Sequence, residues 1–534
     1  MKEYFWADKI ARKIVEKEEK LNRGIKIFRT ESGLGASGIP HIGSLGDVIR
    51  NFAVSLALKD LGKESELIAF SDDRDGLRKV PLGFPNWLEK YIGVPVTDIK
   101  DPFDCHESYG KHMSSLLLDA IEKVGIKCKH HSGTETYKNG LLNEQIEKIL
   151  LNAELIKKIV KKSVGQELVT LYFPVCENCG KIYTTRVIKV LQKEHKVLYK
   201  CDQEFLGKNL NTNKEILIKG CNFEGETSYY DGSGKLAWKA EFAARWDALK
   251  IVFEAVGKDI VDSVKVNDEV DRKILNYEPP THLVYELFLE KGGKKISKSI
   301  GNVFSPQDWL KYGSTESIRL LMLKRFVGTR TISESDIPTY MDEIDRLEKI
   351  YFGREKIKEE MRLPHLKRLF EYVHFLKPPK KPTLKIPYNI LVNLIKVLPI
   401  EFDKKFEISK NILIHSGHIK ILSGEEEEEF KNRVKYVTNW IEVMEKEIKP
   451  VKISLKEDEK EALKELKKAL GEKIGPEEIQ TELFEIARKY KIDVSRFFQI
   501  IYLIVLGINK GPRAGELISL IGNGHVIKMI DKIL

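Results

Sequence analysis

The order of patterns near the start of this chain constrains its fold more than any other feature. An apolar segment at 25–28 predicts a strand, and a glycine-rich turn follows at 31–40. Helical spacing then runs from Gly43 to Leu58, and a second strand pattern occupies 65–70. Strand, glycine turn, helix and strand in this order form a βαβ unit. The sequence therefore predicts an α/β fold with a Rossmann-like, doubly wound parallel sheet that binds ligands at the carboxyl ends of its strands.

Composition and strand patterns divide the 534 residues further. A strand-like segment at 251–256 indicates that the sheet resumes after an insertion, and a Lys–Pro-rich linker at 377–382 precedes a charged, helix-like end. The expected domains are the first half of the sheet domain at 1–100, an insertion at 101–230, the second half at 231–306, a helical region at 307–376 and a helical domain at 377–534.

Charge and hydropathy narrow the classes of partner. The net charge of +10 and the pI near 8.9 favour a polyanion, although charge alone does not establish nucleic-acid binding. No apolar run approaches the roughly 18 residues that cross a bilayer. The first residues carry an early acid and no long apolar core, so they do not resemble a secretion signal. We therefore expect a cytoplasmic protein without a membrane partner.

Two short segments carry the elements of a nucleotide site. His41-Ile42-Gly43 lies between the glycine turn and the predicted helix, where an imidazole can stabilise charge on a phosphate. The segment 294–299, Lys-Lys-Ile-Ser-Lys-Ser, follows two glycines and could close over a triphosphate. Either segment alone also fits an ordinary exposed loop.

Together, these segments resemble the H-I-G-H and K-M-S-K-S elements of class I aminoacyl-tRNA synthetases. Ser44 stands in place of the second histidine, and Ile296 in place of methionine. Further segments are similar to the class I lysyl-tRNA synthetases over nearly the whole chain. They include 31–33, 36–43, 72–73, 78–81, 101–102, 257–259, 285–286, 350–353 and 511–515, together with Trp238 and 245–246.

The resemblance implies an ATP- and Mg²⁺-dependent lysine–tRNA ligase. Such an enzyme forms lysyl-adenylate from lysine and ATP and transfers the lysyl group to the 2′-hydroxyl of the terminal adenosine of tRNA(Lys). The implied catalytic residues are His41, Lys295 and Lys298. The implied ATP-binding residues are Gly35, Pro40, His41, Gly43, Ser44, Asp259, Lys295, Ser297 and Lys298. The expected lysine-binding residues are Gly33, Asp72, Trp238, Tyr285 and Glu286.

Cysteine spacing points to Zn²⁺. Cys176 and Cys179 form a C-x2-C knuckle, and Cys201 and Cys221 lie in the same insertion, with His195 as an alternative ligand. A second set, Asp101, Cys105, His106 and His112, could be an ordinary loop before a helix. The resemblance implies that it can also hold zinc. We expect one structural zinc, and a second at this set.

Two other functions compete with the lysyl enzyme. A glutamyl- or glutaminyl-type class I tRNA synthetase would share the sheet and both loops but would need a cationic pocket. A non-catalytic zinc-ribbon RNA-binding protein would use only the insertion and the basic surface. The sequence does not determine the oligomeric state.

Overall fold

The computed structural model describes residues 4–289, 304–383, 385–396, 398, 402–415, 419, 422–444, 453–472, 475–506, 509–511 and 513–534. The chain forms two compact units. The first unit is built from Met1–Asp308, Ile318–Ser333 and Glu359–Pro378. The second unit is built from Trp309–Ser317, Glu334–Lys358 and Pro379–Leu534.

The strands are β1 (Phe28–Leu34), β2 (Ser65–Ser71), β3 (Lys79–Val80), β4 (Lys129–Ser132), β5 (Tyr172–Pro174), β6 (Arg186–Leu191), β7 (Lys196–Lys200), β8 (Glu204–Asn209), β9 (Lys214–Lys219), β10 (Glu224–Ser228), β11 (Gly234–Leu236), β12 (Ile251–Gly257), β13 (Thr281–Tyr285), β14 (Phe288–Leu289) and β15 (Arg330–Thr331).

The helices are α1 (Trp6–Leu21), α2 (Ile42–Asp60), α3 (Tyr109–Lys123), α4 (Gly133–Lys138), α5 (Asn143–Leu151), α6 (Ala153–Val164), α7 (Trp238–Leu249), α8 (Val261–Val270), α9 (Pro306–Tyr312), α10 (Thr315–Leu323), α11 (Ile337–Tyr351), α12 (Leu363–Val373), α13 (Tyr388–Lys396), α14 (Phe402–His415), α15 (Gly424–Met444), α16 (Glu457–Gly471), α17 (Pro476–Lys489), α18 (Val494–Leu506), α19 (Ala514–Ile521) and α20 (Asn523–Asp531).

The first unit contains a five-stranded parallel sheet in the order β13-β12-β1-β2-β4. The chain leaves β1 toward β2 and β4 and later returns to its other side as β12 and β13. This reversal is the switch point at which open α/β sheets bind ligands. Helix α2 covers the sheet with a face that is almost wholly buried. The predicted Rossmann-like sheet is therefore confirmed.

The first strand differs from its prediction. It begins at Phe28 and continues to Leu34, well into the segment predicted as a turn. Residues 31–34 pair in register with 68–71 of β2, and Gly33 pairs with Phe70. Backbone hydrogen bonds to the neighbouring strand thus outweigh the weak strand preference of glycine. The predicted helix, the second strand that follows it and the resuming strand are confirmed to within two residues.

Small antiparallel sheets carry the cysteine-rich part of the first unit. Strands β6, β7 and β10 form one sheet, and β8 and β9 form a hairpin beside β3. A short pair, β5 and β11, precedes the return of the chain to α7. The second unit is helical where the structure describes it, and α16–α20 bury apolar residues such as Leu463, Leu483 and Phe497. No helix among the described residues is long and apolar enough to cross a membrane.

Candidate active site and metal-binding clusters

A pocket of about 230 Å³ opens at the carboxyl ends of β1, β2, β12 and β13. Ten residues predicted to bind ATP or lysine line it: Gly33, Gly35, His41, Gly43, Ser44, Asp72, Trp238, Asp259, Tyr285 and Glu286. The strand order places them together, because each follows or ends a strand or begins a neighbouring helix. Pro40 lies between Gly35 and His41 in the chain but does not line the pocket.

His41 stands at the N-terminal end of α2. Its backbone is extended, and its carbonyl accepts a hydrogen bond from the Ser44 amide at 2.9 Å. A Cβ on Gly43 would lie 2.9 Å from the His41 ring, so glycine leaves the space that the imidazole occupies. The first amides of a helix attract anions. This end of the pocket is thus suited to a phosphate.

Arg245 is a buried cation that already has protein partners. Its Nε lies 2.9 Å from Glu31 and its Nη1 lies 2.9 Å from Asp72. The guanidinium also stacks over Phe70 and Phe242 at 4.3 and 4.9 Å. Burial raises the pKa of Asp72 to about 7, although Arg245 opposes the shift. Arg245 therefore neutralises acids of the protein itself.

Among the residues that the structure describes, carboxylates outnumber cations in the pocket lining. These carboxylates are Asp47, Asp72, Glu254, Asp259 and Glu286, and the described guanidinium is that of Arg245. Glu286 is paired with Lys258 at 2.9 Å. Glu254 accepts a hydrogen bond from Trp246, and burial beside Glu31 raises its pKa well above the usual value. A pocket of this composition favours a cationic ligand over an anionic side chain.

Asp47 is a lining residue that the sequence analysis missed. Ser32 donates to its carboxylate at 3.1 Å, and Asn51 donates at 3.3 Å. Burial raises the pKa of Asp47 to about 7, while hydrogen bonds from Ser32 and Tyr285 and the charge of Arg50 oppose the shift. Asp47 lies four residues after Gly43 on the same helical face, and this spacing was the available signal.

Asp259 and Tyr285 meet beside the last residue of β12. A Cβ on Gly257 would lie 2.7 Å from Asp259 Oδ1, so a side chain at 257 would displace this carboxylate, whereas its 3.6 Å distance to the Tyr285 hydroxyl would be an ordinary contact. Asp259 is exposed at the pocket mouth, and Trp238 is 37% exposed at the start of α7. The apolar lining that the sequence did not predict consists of Phe242, Ala255, Ile260, Leu287 and Phe288. The predicted residues Lys295, Ser297 and Lys298 lie outside the described residues.

The four cysteines of the insertion converge. Cys176 and Cys221 have their sulfurs 3.6 Å apart, and Cys179 and Cys201 have theirs 3.8 Å apart. Four thiolates around a tetrahedral zinc are separated by about 3.8 Å, because each Zn–S bond is about 2.3 Å. A Cβ on Gly220 would lie 2.1 Å from the Cys201 carbonyl oxygen. The turn that brings Cys221 to the cluster therefore requires glycine at 220. The cluster thus fits a metal with tetrahedral sulfur ligands.

His195 is not part of this cluster. Its ring stacks on Tyr230 at 4.3 Å and lies 3.5 Å from Glu147. The alternative in which His195 replaces a cysteine is therefore wrong. The four candidate ligand atoms of the cluster are the sulfurs of Cys176, Cys179, Cys201 and Cys221.

The second metal candidate also converges. Cys105 Sγ lies 3.3, 3.2 and 3.1 Å from ligand atoms of Asp101, His106 and His112. Burial raises the pKa of Asp101, but backbone amides of Phe103, His106 and Cys105 outweigh it and lower the pKa to about 2. An ionised carboxylate, a thiol and two imidazoles within this distance can surround one metal ion.

Comparisons with known proteins agree with this geometry. The family described as tRNA synthetases class I (K) matches residues 4–374, and an anticodon binding domain matches residues 425–534. A lysine–tRNA ligase of Cenarchaeum symbiosum is 42% identical, covering 98% of each chain. A lysine–tRNA ligase of Rickettsia bellii (strain OSU 85-389) is 32% identical, covering 96% of this chain and 94% of the relative.

One solved structure is a distant neighbour. A glutamate–tRNA ligase from Elizabethkingia meningosepticum, in complex with its amino acid, aligns with a TM-score of 0.38 and 13% identity. The alignment covers 95% of this chain and 99% of that one.

A parallel sheet with a pocket at its switch point, flanked by His41 and joined in sequence to an anticodon binding domain, defines an aminoacyl-tRNA synthetase of class I. Because the family match spans well over half of the chain and relatives above 30% identity align over nearly all of it, the chain belongs to the tRNA synthetase class I (K) family.

Proposed function

We propose that the protein is a lysine–tRNA ligase that activates lysine with ATP and transfers it to tRNA(Lys). The observation that carries the choice of lysine is the excess of carboxylates in the described part of the pocket lining, where the guanidinium of Arg245 is engaged by Glu31 and Asp72. A glutamate side chain would require a cation aimed into the same space. Relatives named lysine–tRNA ligase support the same choice.

The amino-acid end of the pocket is assigned to Asp47, Tyr285, Asp72 and Trp238. Asp47 lies on a rigid helix, and its hydrogen bond with Tyr285 leaves oxygen lone pairs for an ammonium group. The Trp238 indole offers an apolar and aromatic surface to the alkyl stem and charge of lysine. Gly33 lies next to Asp72 and has no side chain. Its backbone is therefore accessible to the α-amino and carboxylate groups of the lysine substrate.

The nucleotide end is assigned to Gly35, Pro40, His41, Gly43, Ser44 and Asp259. The imidazole of His41 and the first amides of α2 would stabilise charge on the α-phosphate, while Asp259 would bind ribose hydroxyls. Lys295, Ser297 and Lys298 are proposed to close over the β- and γ-phosphates. Mg²⁺ would neutralise the leaving pyrophosphate, and positioning of the lysine carboxylate supplies much of the remaining rate.

Zinc is proposed at both clusters. The sulfur distances of Cys176, Cys179, Cys201 and Cys221 fit a structural Zn²⁺ that ties the hairpins of the insertion together. The Asp101, Cys105, His106 and His112 set precedes α3 and would fix the loop that leads into this helix. Both sites lie away from the pocket lining, so a structural role is proposed for each.

The tRNA is proposed to contact three regions of the chain. The 1–100 and 231–306 segments would hold the terminal adenosine, whose 2′-hydroxyl receives the lysyl group. The 307–376 segment would lie along the stem, and the helices after 377 would bind the anticodon, in agreement with the anticodon binding domain at 425–534. Phosphate contacts in these regions would make tRNA binding salt-dependent. An enzyme with this role would work in the cytoplasm.

The decisive experiment is ATP–pyrophosphate exchange with each of the twenty amino acids, run with and without tRNA. Lysine should be the one amino acid that gives rapid, Mg²⁺-dependent exchange. Exchange with glutamate or glutamine would overturn the assignment of the substrate. Absence of exchange with every amino acid in the presence of tRNA would overturn the enzymatic function.

A further inference from the structure

Arg50 lies behind the pocket wall in an unusual environment. Its side chain is buried at 1% exposure on α2, one turn after Asp47. None of its three guanidinium nitrogens has a hydrogen-bond partner among the described residues. The guanidinium stacks over the ring of Tyr285, with Cζ 4.4 Å from the ring centroid. Arg50 therefore touches one pocket residue and neighbours another without lining the pocket itself.

The space for this guanidinium comes from a missing side chain. A Cβ on Gly46 would lie 2.9 Å from Nη1 of Arg50 and 2.7 Å from the sulfur of Met322. Glycine in the interior of a helix is destabilising relative to alanine. The helix thus accepts a destabilising residue at 46 where any larger one would displace Arg50.

Stability does not account for a cation at this position. A buried charge without hydrogen bonds is costly, and an apolar side chain of similar size is often neutral or stabilising in its place. Burial lowers the pKa of Arg50 to about 10, which is a sign of the same cost. Stacking on one ring offsets only part of this cost. A role in the pocket is therefore the better explanation.

We propose that Arg50 is a positioning residue for the amino-acid end of the pocket: it holds the Tyr285 ring by stacking and compensates the charge of Asp47 before the substrate ammonium arrives. This inference rests on the proposed function as a lysine enzyme. It adds a residue that acts on lysine only through Tyr285 and Asp47.

The charged groups around Asp47 determine the pH at which its carboxylate takes up a proton. Arg50 faces it from α2, Glu31 from β1, Glu254 from β12 and the Tyr285 hydroxyl from β13. Arg330 faces Arg50, and Asp259 faces Tyr285. Without Arg50, the acids Glu31 and Glu254 would act on Asp47 with less opposition. Asp47 would then take up a proton at a higher pH and would lose its attraction for ammonium there.

The test measures kcat/KM for lysine from pH 5.5 to 8.5, with ATP and tRNA saturating, in the wild-type enzyme, Arg50→Met and Arg50→Lys. For the wild type, kcat/KM should fall at acid pH as Asp47 is protonated. In Arg50→Met, this fall should begin about one pH unit higher, the size expected for losing a nearby opposite charge. Arg50→Lys keeps the positive charge, so the acid limb of its profile, meaning the fall of kcat/KM at acid pH, should stay near that of the wild type. Its KM for lysine should be higher, because the stacking on Tyr285 is lost.

Arg23→Met is the matched control, because Arg23 also stacks on a tyrosine, Tyr277, at 4.3 Å, but lies outside the pocket lining. It should lower the melting temperature without moving the acid limb or changing the ratio of the lysine and ATP KM values. If Arg50→Met does not fold, Arg50→Gln provides the uncharged variant.

An acid limb that is the same in the wild type and the uncharged variant would overturn the role of Arg50, as would equal shifts in Arg50→Lys and Arg50→Met. By contrast, wild-type enzyme that gives no exchange with lysine would overturn the proposed function itself.

Discussion

Tyr285 ends β13 beside Gly257, and its hydroxyl hydrogen-bonds the Asp47 carboxylate. Because this hydroxyl belongs to the amino-acid end of the pocket, Tyr285→Phe should raise the KM for lysine by about tenfold, the order expected for losing one hydrogen bond to a charged group. The KM for ATP should change by less than about twofold.

Steady-state exchange at varied lysine and ATP measures both values for this variant. Tyr277→Phe is the control, because the hydroxyl of Tyr277 is also buried and donates to the Ile251 carbonyl at 2.7 Å, away from the pocket lining. Equal rises in the two KM values of Tyr285→Phe would show that Tyr285 only shapes the core.

His41 is the residue assigned to the reacting phosphate. His41→Ala should lower the rate of adenylate formation by roughly 10²–10³-fold, the effect of losing one preorganised group that stabilises charge. Gly43→Ala should lower the same rate, because its Cβ would lie 2.9 Å from the His41 ring and displace it. Gly471→Ala, whose Cβ meets nothing within 4 Å, is the control.

Rapid-quench measurement of adenylate in a single turnover should separate this loss of rate from any change in tRNA binding. A normal rate of adenylate formation in His41→Ala would contradict the role assigned to His41.

Sequence patterns identified the pocket residues unevenly. Asp72, Asp259 and Tyr285 were identifiable because each stands at a strand end, where a parallel sheet gathers its ligand contacts. Asp47 and Arg50 were missed because they lie inside a helix. The one local signal of Asp47, its four-residue spacing from Gly43, is equally typical of a charged residue on an exposed helix face. Only the packing of α2 against the sheet turns their side chains into a pocket wall and its support.

Among the elements, the βαβ unit was predictable because its signals are local. Hydrophobic periodicity and glycine spacing fix β2, α2 and the turn between 35 and 41 within short windows. The extension of β1 to Leu34 was not predictable, because it depends on pairing with β2. The hairpins of the insertion were missed for a similar reason: their strands, such as β8 and β9, are held by pairing with each other and by the cysteine cluster.

The cysteine cluster gives a prediction at this scale. Zinc should be present at one to two equivalents per chain, and replacing Cys176 and Cys179 with serine should lower the content by about one equivalent. Metal binding and folding of the knuckles are coupled, so the insertion should also become more accessible to protease. Zinc content by mass spectrometry and limited proteolysis measure the two effects. Cys128→Ser, outside both metal clusters, should change neither; full zinc content in the double variant would contradict the site.

At the scale of the whole molecule, the second unit is assembled from separate parts of the chain. Trp309–Ser317 and Glu334–Lys358 belong to it although they precede the linker at 377–382. In α11, Asp345 forms a buried ion pair with Arg433 of α15 at 2.6 Å, and Asp342 accepts a hydrogen bond from the Tyr388 amide at 2.8 Å. The sequence could not reveal these contacts, because they join residues that are 46 and 88 positions apart.

This assembly decides where the chain can be shortened. A cut after Leu376 would remove the partners of α11 and uncover Ile337, Met341 and Ile344, which are at most 6% exposed. Each such apolar side chain loses about 1.5–3 kcal/mol of burial, so this truncation should aggregate. A cut after Met444 keeps α13, α14 and α15 with α11 and removes α16–α20, which pack extensively on one another. We expect the longer product to remain folded.

The two truncations therefore separate folding from tRNA recognition. The chain ending at Met444 should still be stabilised by a non-hydrolysable lysyl-adenylate analogue in thermal melts, because its pocket is intact. Its kcat/KM for charging tRNA(Lys) should fall by roughly 10²-fold, the size expected when one of several linked binding regions is lost. The full and the shortened chain should charge a minihelix that lacks the anticodon equally well. The minihelix offers no anticodon for α16–α20 to bind, so the loss of these helices should not affect it. Normal charging of full-length tRNA by the shortened chain would show that these helices serve another purpose, whereas loss of the response to the analogue would show that they support the pocket.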